Sequence, residues 1–405
     1  MATKRILIFS LMYHPYESGA EMAVRFITDQ ISKEEIEFDL IALRADANLP
    51  RIERVGNVTI HRIGPSKKGI TFEDLSRFPW YLVKVLYVPL AVLKACSLSR
   101  GKPYNAYWSL MTNMGFPVVL LRKFFRDMTP YILTLQDGDT TEYITKRRRI
   151  RLFSGLLKRI FTEATVVQAI SKYLAQFAKD MGYPGEPVVI PNGVEFERFA
   201  STKHTKETNK LIYALNKKPN EVYLVTTSRL VEKNALGDVI AALSKLPERV
   251  KFLVLGAGPL GERLWKEVVS KGLQKRVRFC GQVDTDLVPA YLQVSDIFVR
   301  PALSEGMGSS FLEAMAAGIP IVATRVGGIP DFLIDPESPL GKVAPTGLFC
   351  EVKNPESIAS AVVRLMENDV LRKKIVKNAR EMVRVKYGWD TVARDMREKV
   401  FVKVI

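Results

Sequence analysis

At 405 residues, with 47% hydrophobic and 25% charged residues, the chain has the balance of a soluble globular protein and the length for two domains rather than one small core. The formal net charge is +17 and the pI about 9.6, which calls for an anionic partner: nucleotide phosphates, acidic lipid or nucleic acid. Three widely spaced cysteines, Cys96, Cys280 and Cys350, with no Cys-x-x-Cys, exclude a cysteine metal cluster and fit a reduced compartment.

The N-terminus reads as a strand and not as a signal peptide, because its apolar run is too short. Ile6 to Ser10 is a buried parallel strand by its unbroken apolar run. The loop Tyr13 to Glu21 and a helix to about Ile31 follow, and strand, glycine loop and helix make half of a nucleotide-binding unit. Gly19 has no side chain to keep a diphosphate or acceptor away from the backbone. His14 reads as a packed loop histidine rather than a base, and Glu21 as a helix-start carboxylate. Phe38 to Leu43 and Val58 to Ile63 are the next strands. Phe78 to Leu98 is long and apolar enough to span a membrane. Lys84 and Lys94 each oppose insertion by about 2.5–3.5 kcal/mol, so we read a helix packed on the sheet or dipping into an interface. Ala106 to Leu110 and Tyr131 to Leu135 are further strands, the second followed by Gln136-Asp137-Gly138-Asp139, whose carboxylates suit turns.

Lys146 to Phe161 forms an amphipathic wheel: Ile150, Phe153, Leu156, Leu157, Ile160 and Phe161 on one side, Arg147, Arg148, Arg151, Lys158 and Arg159 on the other. It fits a core-facing helix with a solvated basic face and equally a membrane-surface helix. Val166 to Ile170 is a strand, and Val188 runs through Pro191-Asn192-Gly193-Val194 toward a polar stretch, Ser201 to Lys210, where we place the domain boundary. The second domain opens with the strand Val222 to Thr227 and a loop carrying two cations, Arg229 and Lys233. Lys251 to Leu255 leads into Gly256-Ala-Gly258-Pro-Leu-Gly261, a weak dinucleotide-type signal, since any backbone approaching a phosphate needs such glycines. Val277 to Cys280 is a strand followed by Gly281-Gln282-Val283. Asp284-Thr285-Asp286 precedes an apolar helix, Leu287 to Val294, where aspartate serves as a cap. Ile297 to Val299 is a strand, Glu305-Gly306-Met307-Gly308 a loop, Ser309 to Ala317 a helix stopped by Gly318, and Ile321 to Ala323 a strand before Gly327-Gly328. Ser310-x-x-Glu313 has capping-box spacing, but two carboxylates eight positions apart beside glycine amides and a helix N-terminus also make a phosphate-and-hydroxyl site.

The block Glu305-x7-Glu313, Ala314-Met315-Ala316-x-Gly318-x-Pro320 and the Gly327-Gly328 loop resembles the family 4 retaining glycosyltransferases. The resemblance covers nearly the whole chain, strongest from Arg229 to Gly347 and thin from Arg44 to Arg100. It implies the α/β GT-B fold, two doubly wound Rossmann-like domains facing a cleft, here 1–205 on the acceptor side and 206–385 on the donor side, with a final helix of about 386–405 crossing back. It implies a retaining hexosyltransferase that moves sugar from a UDP- or GDP-sugar to a glycan or lipid-linked acceptor hydroxyl. Carried over residue by residue, Glu313 would hold the ribose, and Glu305 with Gly306, Met307 and Gly308 the donor sugar. Arg229 and Lys233 would grip the diphosphate, and Gly19, Gly256, Gly258 and Val283 would touch the donor. Gln136 and Asp139 are candidate sugar or acceptor contacts. Four departures stand out: Ser18 for glycine, Gln136 for histidine, the order Lys233-Asn234, and Met307 for phenylalanine.

Two rivals remain. A nicotinamide-dependent oxidoreductase would use Gly256, Gly258 and Gly261 but leaves Glu305, Glu313, Arg229 and Lys233 unexplained. A non-enzymatic nucleic-acid binder would use the net charge of +17, yet the cations are dispersed and no nucleic-acid motif is seen. We expect no cofactor, no metal and no nucleic acid. We expect a cytoplasmic protein with peripheral contact to an anionic membrane.

Overall fold

The structure, a computed structural model, describes residues 3–16, 18–69, 74–76, 78–138, 154–200 and 206–405. It divides into two compact units, Met1–Gly193 with Trp389–Ile405, and Val194–Gly388.

Unit 1 is a sheet flanked by helices. Its elements are β1 (Lys4–Phe9), α1 (Gly19–Thr28), β2 (Ile36–Leu43), β3 (Ile52–Val55), β4 (Val58–Ile63), α2 (Tyr81–Ser99), β5 (Ala106–Leu110), α3 (Phe116–Phe125), β6 (Tyr131–Leu135), α4 (Ser154–Thr162), β7 (Val166–Ala169), α5 (Lys172–Asp180) and β8 (Val188–Val189). The strand order is β3-β4-β2-β1-β5-β6-β7-β8, parallel except for the β3–β4 pair. The interior strands are apolar runs because helices cover both faces. Thus Ile6 to Phe9 and Ala106 to Leu110 are buried throughout. Sequence alternation missed β3, whose residues are exposed or half-buried at the sheet edge.

The amphipathic helix of the sequence reading is described only from Ser154 onward. There Leu157, Ile160 and Phe161 are buried in the core and Lys158 is exposed, as a core-facing helix with a solvated basic face requires. α2 is the reverse. Val83, Tyr87, Ala91, Val92 and Ala95 pack inward, and Tyr87 donates to the Ile41 carbonyl at 2.9 Å. Its opposite flank leaves Leu82, Val85, Leu86 and Leu93 at 47–61% exposure, which is far from a core helix.

Unit 2 contains α6 (Phe196–Ala200), α7 (Lys206–Leu215), β9 (Val222–Thr227), α8 (Leu236–Leu243), β10 (Val250–Leu255), α9 (Gly261–Ser270), β11 (Val277–Gly281), α10 (Val288–Gln293), β12 (Ile297–Arg300), α11 (Ser309–Ala317), β13 (Ile321–Thr324), β14 (Leu348–Cys350), α12 (Pro355–Glu367) and α13 (Asp369–Lys386). Its strands are all parallel, in the order β11-β10-β9-β12-β13-β14. The chain therefore winds one way from β9 to β11, then returns to the other side of β9 with β12. Between β9 and β12 lies the switch point, where α/β sheets bind ligands beyond their carboxyl ends.

The expected boundary at 205/206 lies instead at 193/194, and the return at 388/389. The reason is local: the Val194 N–H donates to the Tyr387 carbonyl at 2.7 Å, Phe199 is buried, and Arg198 pairs with Asp286. The segment 194–200 is thereby fastened to unit 2. The closing helix α14 (Trp389–Lys399) belongs to unit 1, where Trp389 stacks on Phe26 with centroids 4.8 Å apart.

Candidate active site in the second unit

The site grows from the ends of β9 and β12. β12 ends in a cation, Arg300, which is 5% exposed. A buried guanidinium must be met by acceptors. Its Nη2 donates to Glu305 Oε2 at 2.6 Å and its Nη1 to Ser310 Oγ at 2.9 Å. Its plane lies over the Phe311 ring, 4.2 Å from the centroid. Burial pulls Arg300 below its usual pKa range, while Glu305 and Glu313 oppose that. The other Glu305 oxygen accepts from the Gly306 N–H at 3.0 Å.

The glycines around Glu305 are explained by space. Gly308 has φ +86°, and a Cβ there would stand 2.5 Å from Arg300 Nη2. Gly327, at φ +53°, would place a Cβ 1.8 Å from the Glu305 carbonyl oxygen, which instead accepts from the Gly328 N–H at 3.1 Å. The two-glycine loop thus fixes the backbone beneath the carboxylate. Gly308 is the N-cap of α11, so Ser310 is not the capping residue and the capping-box reading is not realised. Gly318 closes the helix in the left-handed conformation, as the sequence indicates.

Glu313 lies at the start of the second turn of α11, partly buried. Burial pushes its carboxyl up to about 7, with Arg198 and Arg300 pulling it down and Glu195 pushing it further up. Arg198 is itself held by Glu195 at 2.8 Å and Asp286 at 3.0 Å.

At the end of β9, Arg229 is exposed and Lys233 half-buried. Their loop is pinned from three sides. The Asn234 amide donates to the Arg229 carbonyl at 2.7 Å, Leu303 N–H donates to the Lys233 carbonyl at 2.7 Å, and Leu230 N–H to the Ala257 carbonyl at 3.0 Å. Gly256 and Gly258 permit this approach: a Cβ on either would lie 2.0 Å from the Ser228 oxygen or 2.6 Å from the Leu230 oxygen. Their bareness therefore accommodates the chain's own β9 loop, which removes the basis of the nicotinamide reading. Ala235 sits at φ +50°, the left-handed position one residue past Asn234, so the glycine-like turn persists without glycine. The hydroxyls of Thr226, Thr227 and Ser228 are buried with no partner among the described residues. Adjacent to Arg229, they suit a polar ligand.

Val283 is half-buried after β11, and the preceding Gly281 carbonyl accepts from Gly256 N–H at 2.7 Å. Met307 is buried. So Arg229, Lys233, Gly256, Gly258, Val283, Glu305, Gly306, Met307, Gly308 and Glu313 share the C-terminal side of one sheet. Gly19 and Gln136 belong to unit 1. Gly19 opens α1, with the Glu21 carboxylate accepting from the Ser18 N–H at 2.9 Å, the helix-start role read from sequence. Gln136 Oε1 accepts from the Asn192 amide at 2.9 Å. Asp139 lies outside the described residues. Asp137 accepts from the Thr112 hydroxyl at 3.0 Å, a link between loops and not only a turn. Asp284 is a cap, accepting from Asp286 N–H at 3.0 Å.

Sequence reasoning missed Arg300, Ser310, Arg198 and Glu195. One signal was present: an arginine closing the otherwise apolar strand Ile297-Phe-Val-Arg300 must be paired if buried.

Two parallel-sheet α/β units with this loop-and-helix site define the GT-B class of fold. Residues 207–382 match the family described as Glycosyl transferases group 1, and residues 18–193 match the Glycosyl transferase 4-like domain. The chain belongs to the family 4 glycosyltransferases. It is 30% identical over 255 residues to a GDP-mannose-dependent alpha-(1-6)-phosphatidylinositol monomannoside mannosyltransferase of Mycobacterium tuberculosis, across 60% of this chain and 63% of that one. The chain thus spans under two thirds of that relative's length. Its fold is similar to sucrose-phosphate synthase from Thermosynechococcus elongatus, with TM-score 0.81, 21% identity, and coverage of 98% of this chain and 99% of that one. It is also similar to HepE of Anabaena in complex with UDP and glucose, with TM-score 0.76, 19% identity, and coverage of 98% and 100%.

Proposed function

We propose that this chain transfers a hexose from a UDP- or GDP-sugar to a hydroxyl of a glycan or lipid-linked acceptor, with retention of anomeric configuration. The observation that carries this reading is the switch-point arrangement of unit 2. A carboxylate, Glu305, is held by Arg300 and the Gly306 N–H on one loop, a second, Glu313, lies in the following helix, and the cationic Arg229–Lys233 loop is tied to the loops that follow β10 and β12. Carboxylates accept vicinal hydroxyls; cations and a helix N-terminus stabilise a diphosphate. In this reading Glu313 takes the ribose, Glu305 and the Gly306–Gly308 amides the sugar, and Arg229 and Lys233 the charge that grows on the leaving phosphate. No described side chain is assigned as nucleophile, and same-face attack guided by that phosphate is the mechanism we favour. The named relatives support a nucleotide-sugar donor, since one is GDP-mannose-dependent and another was solved with UDP and glucose.

We assign no metal to the reaction. Arg229, Lys233 and the start of α11 already place positive potential at the phosphate site, while Asp284 caps a turn and Asp286 pairs with Arg198. We further propose peripheral contact with the cytoplasmic face of an anionic membrane. Its support is the exposed flank of α2, with Phe124, Phe125 and Met128 exposed at and beyond the end of the neighbouring α3, and the cations Lys123 in the last turn of α3 and Arg100 and Arg126 just past the two helices. A relative that acts on a phosphatidylinositol monomannoside fits a lipid-linked acceptor.

The test of the donor reading is a thermal-shift panel of UDP, GDP, UDP-glucose, UDP-N-acetylglucosamine, GDP-mannose and NAD. A shift with one nucleotide family and its sugar is expected; a shift with NAD alone would overturn the reading.

A further inference from the structure

Arg300 is buried in unit 2, and no role in the transfer chemistry was assigned to it above. It closes a strand whose other residues are apolar, and both terminal nitrogens are committed: Nη2 to Glu305 at 2.6 Å and Nη1 to Ser310 at 2.9 Å. The ring of Phe311 supports the guanidinium from one side at 4.2 Å. Gly308 leaves room for it, since any Cβ there would come within 2.5 Å of Nη2. The sequence around the turn is thus shaped to this cation. A lone buried carboxylate on a glycine-rich turn could rotate, and it would be poorly solvated. Here one Glu305 oxygen faces Arg300 and the other faces the Gly306 N–H, so both carboxylate oxygens have a fixed direction.

We propose that Arg300 is a positioning residue that holds Glu305 in the one orientation able to accept hydroxyls of the donor sugar, and that it thereby sets how strongly the site prefers a nucleotide sugar over the bare nucleotide. This rests on the donor reading above. Arginine suits the task because its fork binds a carboxylate and a hydroxyl at once in fixed geometry, which a lysine ammonium does not.

The experiment measures, by titration calorimetry, the affinity of wild type, Arg300→Met, Arg300→Lys, Glu305→Gln and the Arg300→Met/Glu305→Gln double variant. The ligands are the nucleoside diphosphate and the nucleotide sugar selected by the thermal-shift panel. Measured well above pH 7, so that Glu313 stays ionised without the pull of Arg300, Arg300→Met should change diphosphate affinity less than about twofold and reduce the preference for nucleotide sugar about tenfold, as expected when a charged hydrogen bond to the sugar is misdirected. Arg300→Lys should recover part of that preference. The double variant should lose no more than Glu305→Gln alone, because the two residues act through one contact. The pair of apolar and neutral replacements also removes the unpaired buried charge, which keeps a folded protein in the series. Equal loss of diphosphate and nucleotide-sugar affinity in Arg300→Met, or losses that add in the double variant, would overturn the proposal. If wild type prefers no nucleotide sugar over its diphosphate, the donor reading itself fails; if wild type does and Arg300→Met keeps the preference, only the role of Arg300 fails.

Discussion

Glu313 is the residue on which stability and the proposed ribose role pull in opposite directions. Its carboxyl moves from an ordinary 4.5 to about 7, chiefly through burial. At 1.36 kcal/mol per tenfold, that gap corresponds to about 3 kcal/mol, and screening around the half-exposed Arg198 trims it to about 1–3 kcal/mol. The sign follows from proton counting. Between about 4.5 and 7 the folded state keeps a proton that the unfolded state has lost, so stability falls as pH rises through that window. Glutamine mimics the protonated form at every pH. Glu313→Gln should therefore match wild type near pH 4.5 and exceed it by about 1–3 kcal/mol at pH 8. For a unit of this size that is about 2–4 °C in Tm per kcal/mol. The same variant should weaken nucleoside diphosphate binding about tenfold, because an amide oxygen accepts from ribose hydroxyls less strongly than a carboxylate. Scanning calorimetry at half-unit pH steps reads the first effect and titration calorimetry the second. A stability difference that is the same at pH 5 and pH 8 would refute the desolvated carboxyl. A stabilised variant with unchanged diphosphate affinity would refute its ribose role.

Arg229→Ala and Lys233→Ala should each lower kcat about 100-fold or more while the fold stays intact, since backbone and Asn234 contacts hold their loop; unchanged turnover in both would remove them from the mechanism. Gly256→Ala should destabilise by about 2 kcal/mol or more, as its Cβ would sit 2.0 Å from the Ser228 oxygen at φ +140°, and a chemical denaturation curve within error of wild type would contradict that packing. Vesicles containing acidic lipid should pellet the protein at low salt and release it at high salt, and Leu82→Ser with Leu93→Ser should weaken the binding; failure of wild type to pellet would favour a soluble acceptor. Transfer should persist in EDTA, and a complete loss restored by magnesium or manganese would direct attention to Asp284–Asp286 and Asp137–Asp139.

Much of unit 2 was legible because its signals are local and redundant. Buried parallel strands such as Val250 to Leu255 announce themselves as unbroken apolar runs between glycine loops. Gly318 ends α11 for a reason visible in one residue. Unit 1 was read less well where an element is defined by its partner. Ile52–Val55 is a strand only because β4 pairs with it, and its sequence, Ile-Glu-Arg-Val, has no core pattern of its own. The boundary near Ser201 to Lys210 followed composition. The actual division at Gly193 follows hydrogen bonds between residues nearly two hundred positions apart, which no local reading contains.

The site divides along the same line. Glu305, Glu313, Arg229 and Lys233 could be picked out because the motifs around them resemble those of the family. What spacing could not show is what each group faces. Glu313 has the sequence offset of a capping glutamate, and only the fold shows that Gly308 takes the cap and leaves Glu313 to be desolvated beside two guanidiniums. Gly256 and Gly258 have the offset of a phosphate cradle, and only the fold shows that the β9 loop fills the space they leave. The glycines beneath Glu305 carry the same logic further. Gly308 makes room for Arg300, and Gly327 for the Glu305 carbonyl. The turn is therefore tightly constrained. Its rigidity follows from contacts too close for a side chain at Gly308 or Gly327, and that constraint lets a carboxylate on a loop keep a fixed geometry.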